Sequence, residues 1–439
     1  MSGIAMSASS RSNKQLLTSR IAEHLDAMKV KLTDSDQQML DGRCGEAAAM
    51  AMRIIVRMAE VCDAAELMDV TQAHIDGCGL LSEGGVEFAE TLAAKGGRAS
   101  IPTTLNMGPL DLQNYKQFGV DEDFASRAIR QSKAYTDMGC IPTWSCAPYQ
   151  GYLTPRFGQQ IAWGESNAIC YANSILGART NRYGDFIDIC AAITGRVPKC
   201  GLHLRENRKG QILLRLVDIN PDIVRADTFY PVLGHLLGLI AEDKIAVIDG
   251  LSAAASSDQL KALCAAAASS GSVALFHAVG LTPEAATLED AFQGGAPERV
   301  QEIDAADLRE SWHSLSTADD GDPLDLVVLG CPHFSFDEFT ALADLVKERL
   351  EKGLKIHGGV RFVVISCQSS FALAQRSDCL DVLRDAGVEI TLDTCVFHTP
   401  MISESTKVIM TNSGKCAYYA PGELGVKVAF GSMADCVES

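Results

Sequence analysis

The chain has 439 residues, and 47% of them are hydrophobic, enough for a large core spread over two or three lobes. A formal charge of −18 repels a phosphate backbone and argues against nucleic-acid binding. No apolar run is long enough to span a bilayer, and the opening "MSGIAMSASSRSNKQLL" lacks the apolar centre of a signal peptide, so the expectation is a cytoplasmic protein with no membrane contact.

The predicted elements follow in chain order. Residues 1–30 read as a polar, flexible arm with a short helix. "KLTDSDQQMLDG" starts a helix capped by Thr33 or Asp34. "GEAAAMAMRIIVRMAEVCDA" predicts a long buried helix, and "ELMDVTQAHIDGC" a strand ending in a polar turn. "SEGGVEFAETLAAKGG" reads as an amphipathic helix with a glycine stop, and "RASIPTTLN" as a short strand with a polar tip. "WGESNAICYANSILGARTNRYGD" reads as helical, yet it crowds polar side chains. From Cys200 to about Asp322 the pattern weakens, with "KIAVIDGL" and "SVALFHAVG" as strands around an Ala-rich helix.

The last third is the most regular. "LDLVVLGCPH", "VRFVVISCQSS" and "VEITLDTCVFH" are apolar, β-branched strands separated by two helices, a βαβαβ unit with a parallel sheet. The fold class is therefore α/β. The expected division is an arm at 1–30, lobes at 31–200 and 201–322, and a βαβαβ lobe at 323–439.

Fifteen cysteines is a high count, and in a reducing compartment they stay free. Most are expected to be small buried hydrophobes, among them Cys62, Cys190 and Cys264. Cys331, Cys367 and Cys395 differ, because each ends one of the three strands, where ligands of parallel sheets bind. "DMGCIPTWSCAPYQ" adds Cys140 and Cys146. No CxxC pair occurs, which argues against a zinc ribbon or a thioredoxin-like couple. A cysteine paired with His333 or His398 could act as a nucleophile, but this leaves the other strand-end thiols without a role. An iron–sulfur cluster uses thiolates converging from separate loops, and its exposed iron can act as a Lewis acid.

Polar stretches supply candidates for holding a substrate. "HIDGC" offers His74 and Asp76, and "PTTLN" offers Thr103, Thr104 and Asn106. The segment from Trp163 to Arg182 holds Glu165, Ser166, Asn167, Asn173, Ser174, Arg179, Thr180, Asn181 and Arg182. Arg179 or Arg182 could clamp a carboxylate through two parallel hydrogen bonds. Asn167 and Asn173 in an apolar helix cost stability unless hydrogen-bonded. "TNSGKCAYYAPG" places Ser413 and Lys415 on a glycine-containing turn.

Together, "KLTDSDQQML", "HIDGC", "PTTLN", "PTWSCAPYQ", "GESNAICYANSILGARTNR", "VLGCPH", "DTC" and "TNSGK" resemble the aconitase X family over nearly the whole chain after the arm. The resemblance implies a three-lobed aconitase-like α/β core with parallel sheets flanked by helices. It implies a hydro-lyase that removes water from a small hydroxy acid, cis-3-hydroxy-L-proline in bacterial members and mevalonate 5-phosphate in archaeal ones. It further implies an iron–sulfur cluster, [2Fe-2S] or [4Fe-4S], on Cys146, Cys331 and Cys395, with Cys140 the rival of Cys146. Ser166, Asn167 and Lys415 are the implied catalytic residues. His74, Asp76, Thr103, Thr104, Asn106, Arg179, Thr180, Asn181 and Ser413 are expected to hold substrate. The family's small swivelling domain has no counterpart among these motifs. The expectation is a large subunit whose separate partner supplies that domain and a serine base. A non-catalytic iron–sulfur protein is the rival of another class.

Overall fold

The computed structural model describes residues 30–439, so the arm expected over 1–30 lies almost wholly outside the described residues. Among the described residues, no helix is long and apolar enough to cross a membrane. The first helix, Asp34–Leu40, is capped by Thr33, whose hydroxyl accepts from the Asp36 amide at 3.2 Å while the Asp36 carboxylate accepts from the Thr33 amide at 2.9 Å.

Three parallel sheets follow, one after another. In the first, Ala73–Ile75 runs between Thr103–Leu105 and Ala162–Trp163. All three strands are buried along their length, as strands covered on both faces by helices must be. The helices Glu46–Val61, Glu83–Ala94, Glu122–Asp137 and Ile187–Thr194 belong to the same lobe. The stretch expected to be one strand up to Cys78 divides in two. Leu67–Asp69 pairs antiparallel with Arg196–Pro198, and the chain turns before Ala73 because the Thr71 amide and hydroxyl both donate to the Gln160 carbonyl, each at 3.0 Å.

The second sheet runs in the order Phe276–Ala278, Ala246–Asp249, Ile212–Leu216, Arg299–Ile303, all parallel. The helix Ser257–Ser270 links its two expected strands, Ala246–Asp249 and Phe276–Ala278. The third runs Glu389–Leu392, Arg361–Ser366, Leu326–Phe334, Val408–Thr411, Lys427–Phe430, also parallel. It contains the expected βαβαβ unit and extends it by two strands. One apolar cluster joins all three regions, from Trp163 and Ile169 through Leu233 and Leu263 to Leu326, Ile365 and Phe430.

Three local features place the functional residues. The strand Leu326–Phe334 loses register after Leu329, at Gly330, whose φ is +95° and where a Cβ would run into the Ile365 carbonyl. Cys331 therefore sits on an irregular bend inside a strand, not at its end. The helix expected through Arg182 stops at Ser174: Ser166–Ser174 is helical, and Ile175–Arg182 leaves as a loop. Its Tyr171 stacks on Tyr149 at 3.8 Å between ring centroids and meets the Ser257 hydroxyl at 3.1 Å. Ser413 and Lys415 do not lie on a plain turn. Ser413 caps the helix Gly414–Glu423, accepting from the Cys416 amide at 3.0 Å, and Lys415 occupies its first turn.

Candidate active site

A cavity of about 310 Å³ opens where the first and third sheets meet. Cys146, Cys331 and Cys395 line it, together with Glu165, Ser166 and Lys415 and the histidines His333 and His398. The three thiols reach it from three separate segments, and none forms a disulfide. His333 ties two of these segments together. Its backbone N–H donates to the Cys146 sulfur at 3.1 Å, and its Nε2 is 2.7 Å from the carbonyl of Thr394, next to Cys395.

Electrostatics explain why a lysine stands among these groups. Lys415 Nζ lies 3.0 Å from Glu165 Oε1, deep in the protein. Burial works against the ammonium, but the Glu165 carboxylate beside it holds its pKa well above the ordinary value. Burial likewise opposes the Glu165 carboxylate, and Lys415, the Asn167 amide and the Asn106 side chain pull it down to about 2. Burial pushes the Cys146 thiol well up and the Cys395 thiol up to about 12; Cys331 is raised first by its hydrogen bond with Cys416 and then by burial. Without a metal these thiols hold their protons, and a metal would have to displace them.

Behind Glu165 lies a buried hydrogen-bonded chain. Asn106 donates to Glu165 Oε2 at 2.9 Å and to Asp76. The Asp76 amide donates to Asp188 at 2.7 Å. His74 Nδ1 and the Thr104 hydroxyl share a hydrogen bond of 2.8 Å, and His74 Nε2 and Asn106 Oδ1 have no partner among the described residues. Asn167 donates to Glu165 through both its backbone amide, at 3.2 Å, and its side chain. Asp76, Asn106 and Asn167 thus form a hydrogen-bonded shell that fixes Glu165, with Asn167 at the foot of the helix that Glu165 caps, while His74 and Thr104 form a separate buried pair.

The remaining candidates go elsewhere. Thr103 spends its hydroxyl on the Ile101 carbonyl at 2.8 Å, and Ser413 spends its own on the Cys331 carbonyl and its helix cap. Asn173 turns from the cavity: its amide donates to the carbonyls of Thr180 and Ala274, both at 2.9 Å, and its oxygen accepts from the Thr180 amide and from Arg208, both at 3.0 Å. Thr180 accepts from the Trp163 amide at 3.2 Å, and Asn181 accepts from the Leu202 amide at 2.7 Å. These are staples of the loop after the helix. Arg179 lines a second cavity, with Arg205 and Arg208. Cys140 is packed in the apolar core of the first lobe beside Met138 and Trp144. Cys367 is buried beside the hydroxyls of Ser369, at 3.3 Å, and Ser370, at 3.8 Å. Cys190 and Cys264 are core residues, whereas Cys62 is only half-buried.

The sequence reading offered Glu165 only as one of the polar residues crowding its segment and His398 only as a possible partner of a nucleophilic cysteine, and it gave neither a settled place in the site. The signal for Glu165 was its place as the residue before a buried helix, which puts a carboxylate at the helix mouth. His398 had none beyond its nearness to Cys395.

The chain matches the models for the first, second and third domains of aconitase X at residues 29–206, 211–313 and 324–439. It belongs to the aconitase X family. It is 42% identical to the cis-3-hydroxy-L-proline dehydratase of Hypocrea jecorina over 94% of this chain and 69% of that one, and 42% identical to that of Pseudomonas aeruginosa over 93% and 70%. The phosphomevalonate dehydratase large subunit of Methanothermobacter thermautotrophicus is 35% identical over 92% of this chain and 96% of its own. The crystal structure of Thermococcus kodakaraensis aconitase X in its holo-form superposes with a TM-score of 0.83 at 30% identity, over 93% of this chain and 99% of that one. The three relatives named before that structure are dehydratases, and this aconitase X chain is a hydro-lyase.

Proposed function

We propose that this chain forms the larger part of an iron–sulfur hydro-lyase that dehydrates cis-3-hydroxy-L-proline to Δ1-pyrroline-2-carboxylate. The observation that carries the substrate choice is the charge of the cavity wall. Among the described residues its lining includes Glu165 and Glu423 and one permanent cation, Lys415, which Glu165 already engages, and no arginine. A zwitterionic amino acid suits that balance. A phosphate monoester, carrying nearly two negative charges, calls for arginines or a helix N-terminus given over to it. The greater identity to the hydroxyproline enzymes points the same way.

The thiols fit a cluster better than a single ion. Among the described residues, no three His, Cys, Asp or Glu side chains stand together as ligands of one metal ion. An iron–sulfur cluster spreads its cysteines over separate irons, and three unlinked thiols around one cavity suit that need. Cys146, Cys331 and Cys395 would hold it, and when bound it supplies a Lewis-acidic iron for the departing hydroxyl.

The chain's own residues do the positioning. The Lys415 ammonium attracts the substrate carboxylate, and Glu165 accepts from the ring ammonium. Asn106 and Asn167 keep the Glu165 carboxylate pointed and charged. Ser166, half-buried at the first helical position, offers a hydroxyl at the same wall. Loss of the α-proton and of the β-hydroxyl leaves an enamine, which tautomerises to the cyclic imine. The base comes from a small swivel-type subunit closing the cavity, where Leu81 is now 67% exposed. Relatives named as large subunits support such a partner.

The test is to express the chain with and without the small partner, reconstitute iron and sulfide anaerobically, and assay both substrates. Dehydration of cis-3-hydroxy-L-proline by the pair and not by the chain alone is the expected result. Turnover of mevalonate 5-phosphate in its place would overturn the substrate, and full activity of the single chain would overturn the partner.

A further inference from the structure

A second cavity, of about 370 Å³, lies between the loop Ile175–Arg182 and the second sheet. That volume falls within the range of ligand pockets, roughly 300–1,000 Å³. Phe157, Arg179, Arg205, Arg208, His277 and Glu284 line it. It shares no lining residue with the cysteine cavity.

Its cations are not matched by its anions. Glu284 is committed to Arg208, with contacts of 2.6 and 2.7 Å, and the other donors of Arg208 go to Asn173 and the Leu202 carbonyl. Asp290, the other carboxylate at the wall, caps a helix through Thr287, accepting from its amide and hydroxyl at 3.0 and 2.8 Å. Arg179 and Arg205 are left over. The Arg179 guanidinium is 21% exposed and makes no hydrogen bond among the described residues; its sole ionic contact is Glu284 Oε1 at 3.9 Å, and its Nε is buried without a partner. A guanidinium this buried ordinarily spends its five N–H donors on carboxylate, carbonyl or phosphate oxygens. Arg205 likewise makes no side-chain hydrogen bond among the described residues, while its carbonyl is fixed by Gln293 at 2.6 Å.

A second unmet hydrogen bond lies at the same wall. His277 is buried, and its Nε2 engages the Arg208 carbonyl at 2.7 Å. That bond makes Nε2 the donor and leaves Nδ1 as a lone-pair acceptor with no partner among the described residues, a place for a ligand's O–H, such as that of a singly protonated phosphate, and not for its charged oxygens. Phe157, 61% exposed, supplies an apolar wall beside the arginines.

We propose that this cavity binds a small organic anion, a carboxylate or phosphate monoester, clamped between Arg179 and Arg205 with its apolar body on Phe157. In a chain carrying −18, two uncommitted guanidinium groups in one recess create a local positive field that draws anions in. Carboxylate and phosphate present the same paired oxygens to arginine, and the probes tell them apart.

The experiment is calorimetric titration of the whole chain with benzoate, phenyl phosphate and inorganic phosphate, against potassium chloride at matched ionic strength. Arg205→Ala is exposed and safe for folding, and Arg179→Lys keeps the charge while losing the fork. Thermal melts confirm that both variants fold. The expected result is binding of an organic probe at millimolar concentration or tighter, weakened at least about tenfold by either substitution, and unaltered in Lys415→Met. Tighter binding of phenyl phosphate than of benzoate supports a phosphate ligand, and the reverse supports a carboxylate. Heats no larger than chloride gives, or affinities indifferent to both arginine variants, would overturn the site. So would loss of binding in Lys415→Met alone, which moves the anion to the cysteine cavity.

Discussion

The two halves of the segment Trp163–Arg182 are neighbours in sequence and have different tasks. In the first half, Glu165 and Ser166 line the cysteine cavity, and Asn167 behind them helps keep a carboxylate and a lysine charged side by side. The second half, Asn173 to Asn181, is consumed by hydrogen bonds that bind the loop to the second sheet, and Arg179 turns into another recess. Both halves are crowded with polar side chains. What separates them is where the helix ends: nine residues carry the chain roughly 13 Å at about 1.5 Å per residue, far enough to leave the site. Each prediction below asks whether that division holds.

The largest effects belong to the thiols. Single replacement of Cys146, Cys331 or Cys395 by Ser is expected to remove most of the iron and visible absorbance and to lower turnover at least about 10³-fold, since the proposed Lewis acid is lost with the cluster. Cys140→Ser and Cys367→Ser are expected to keep their iron. Iron analysis per chain reads the outcome, and full iron in any of the first three removes it from the ligand set.

Next come the cavity's own half-segment and its partner. Lys415→Met should leave the iron in place and reduce kcat/KM by about 10²-fold, an ordinary cost of lost substrate positioning. Asn167→Ala should lose less, about tenfold, because Asn106 still holds Glu165. Steady-state kinetics on iron-loaded protein decides. A normal kcat/KM in Asn167→Ala would leave the amide with no part in aligning Glu165.

Part of this arrangement was legible in the sequence, and the rest was not, for physical reasons. The βαβαβ unit declared itself because β-branched runs such as "RFVVIS" recur between amphipathic helices. The strand Arg299–Ile303 did not, because it is a largely polar edge strand in which only Ile303 is buried. Cys395 and Lys415 could be placed near the site from local order alone, at a strand's end and in a serine–glycine segment. Cys331 could be placed at a sheet edge, but the bend at Gly330 depends on Ile365 in the next strand. Arg179 could not be placed at all. Its direction depends on Asn173 meeting Thr180 and Arg208, contacts no periodicity encodes.

Asn173→Ala tests that contact set. Asn173 is buried, and its removal leaves the Thr180 amide and one Arg208 donor without acceptors. Unpaired buried groups cost roughly 1–3 kcal/mol each, more beside a charge, so a clear drop in Tm is expected. Activity at a temperature where the variant is folded should stay within about threefold of the parent, below the cost of losing a positioned group. A hundredfold loss of kcat/KM with an unchanged Tm would return Asn173 to the substrate.

The smallest effect is expected at Thr180. Its hydroxyl accepts from the Trp163 amide at 3.2 Å and donates to the Asn181 carbonyl at 2.9 Å, so both its hydrogen-bonding roles are filled by the backbone. Thr180→Val keeps the shape and deletes only those two bonds. The Trp163 amide lies at the end of the first sheet's shortest strand, just ahead of Glu165, so the strand should loosen slightly and the Glu165–Lys415 pair should not. A loss of about 1–2 kcal/mol in urea denaturation is expected, the cost of one stranded amide and one carbonyl that water can partly satisfy. Turnover should change less than about twofold, because nothing on Thr180 remains free to touch a substrate. If Thr180→Val instead raises KM while leaving stability intact, the hydroxyl must leave the backbone when substrate binds, and the line between the two halves of the segment would have to be moved past it.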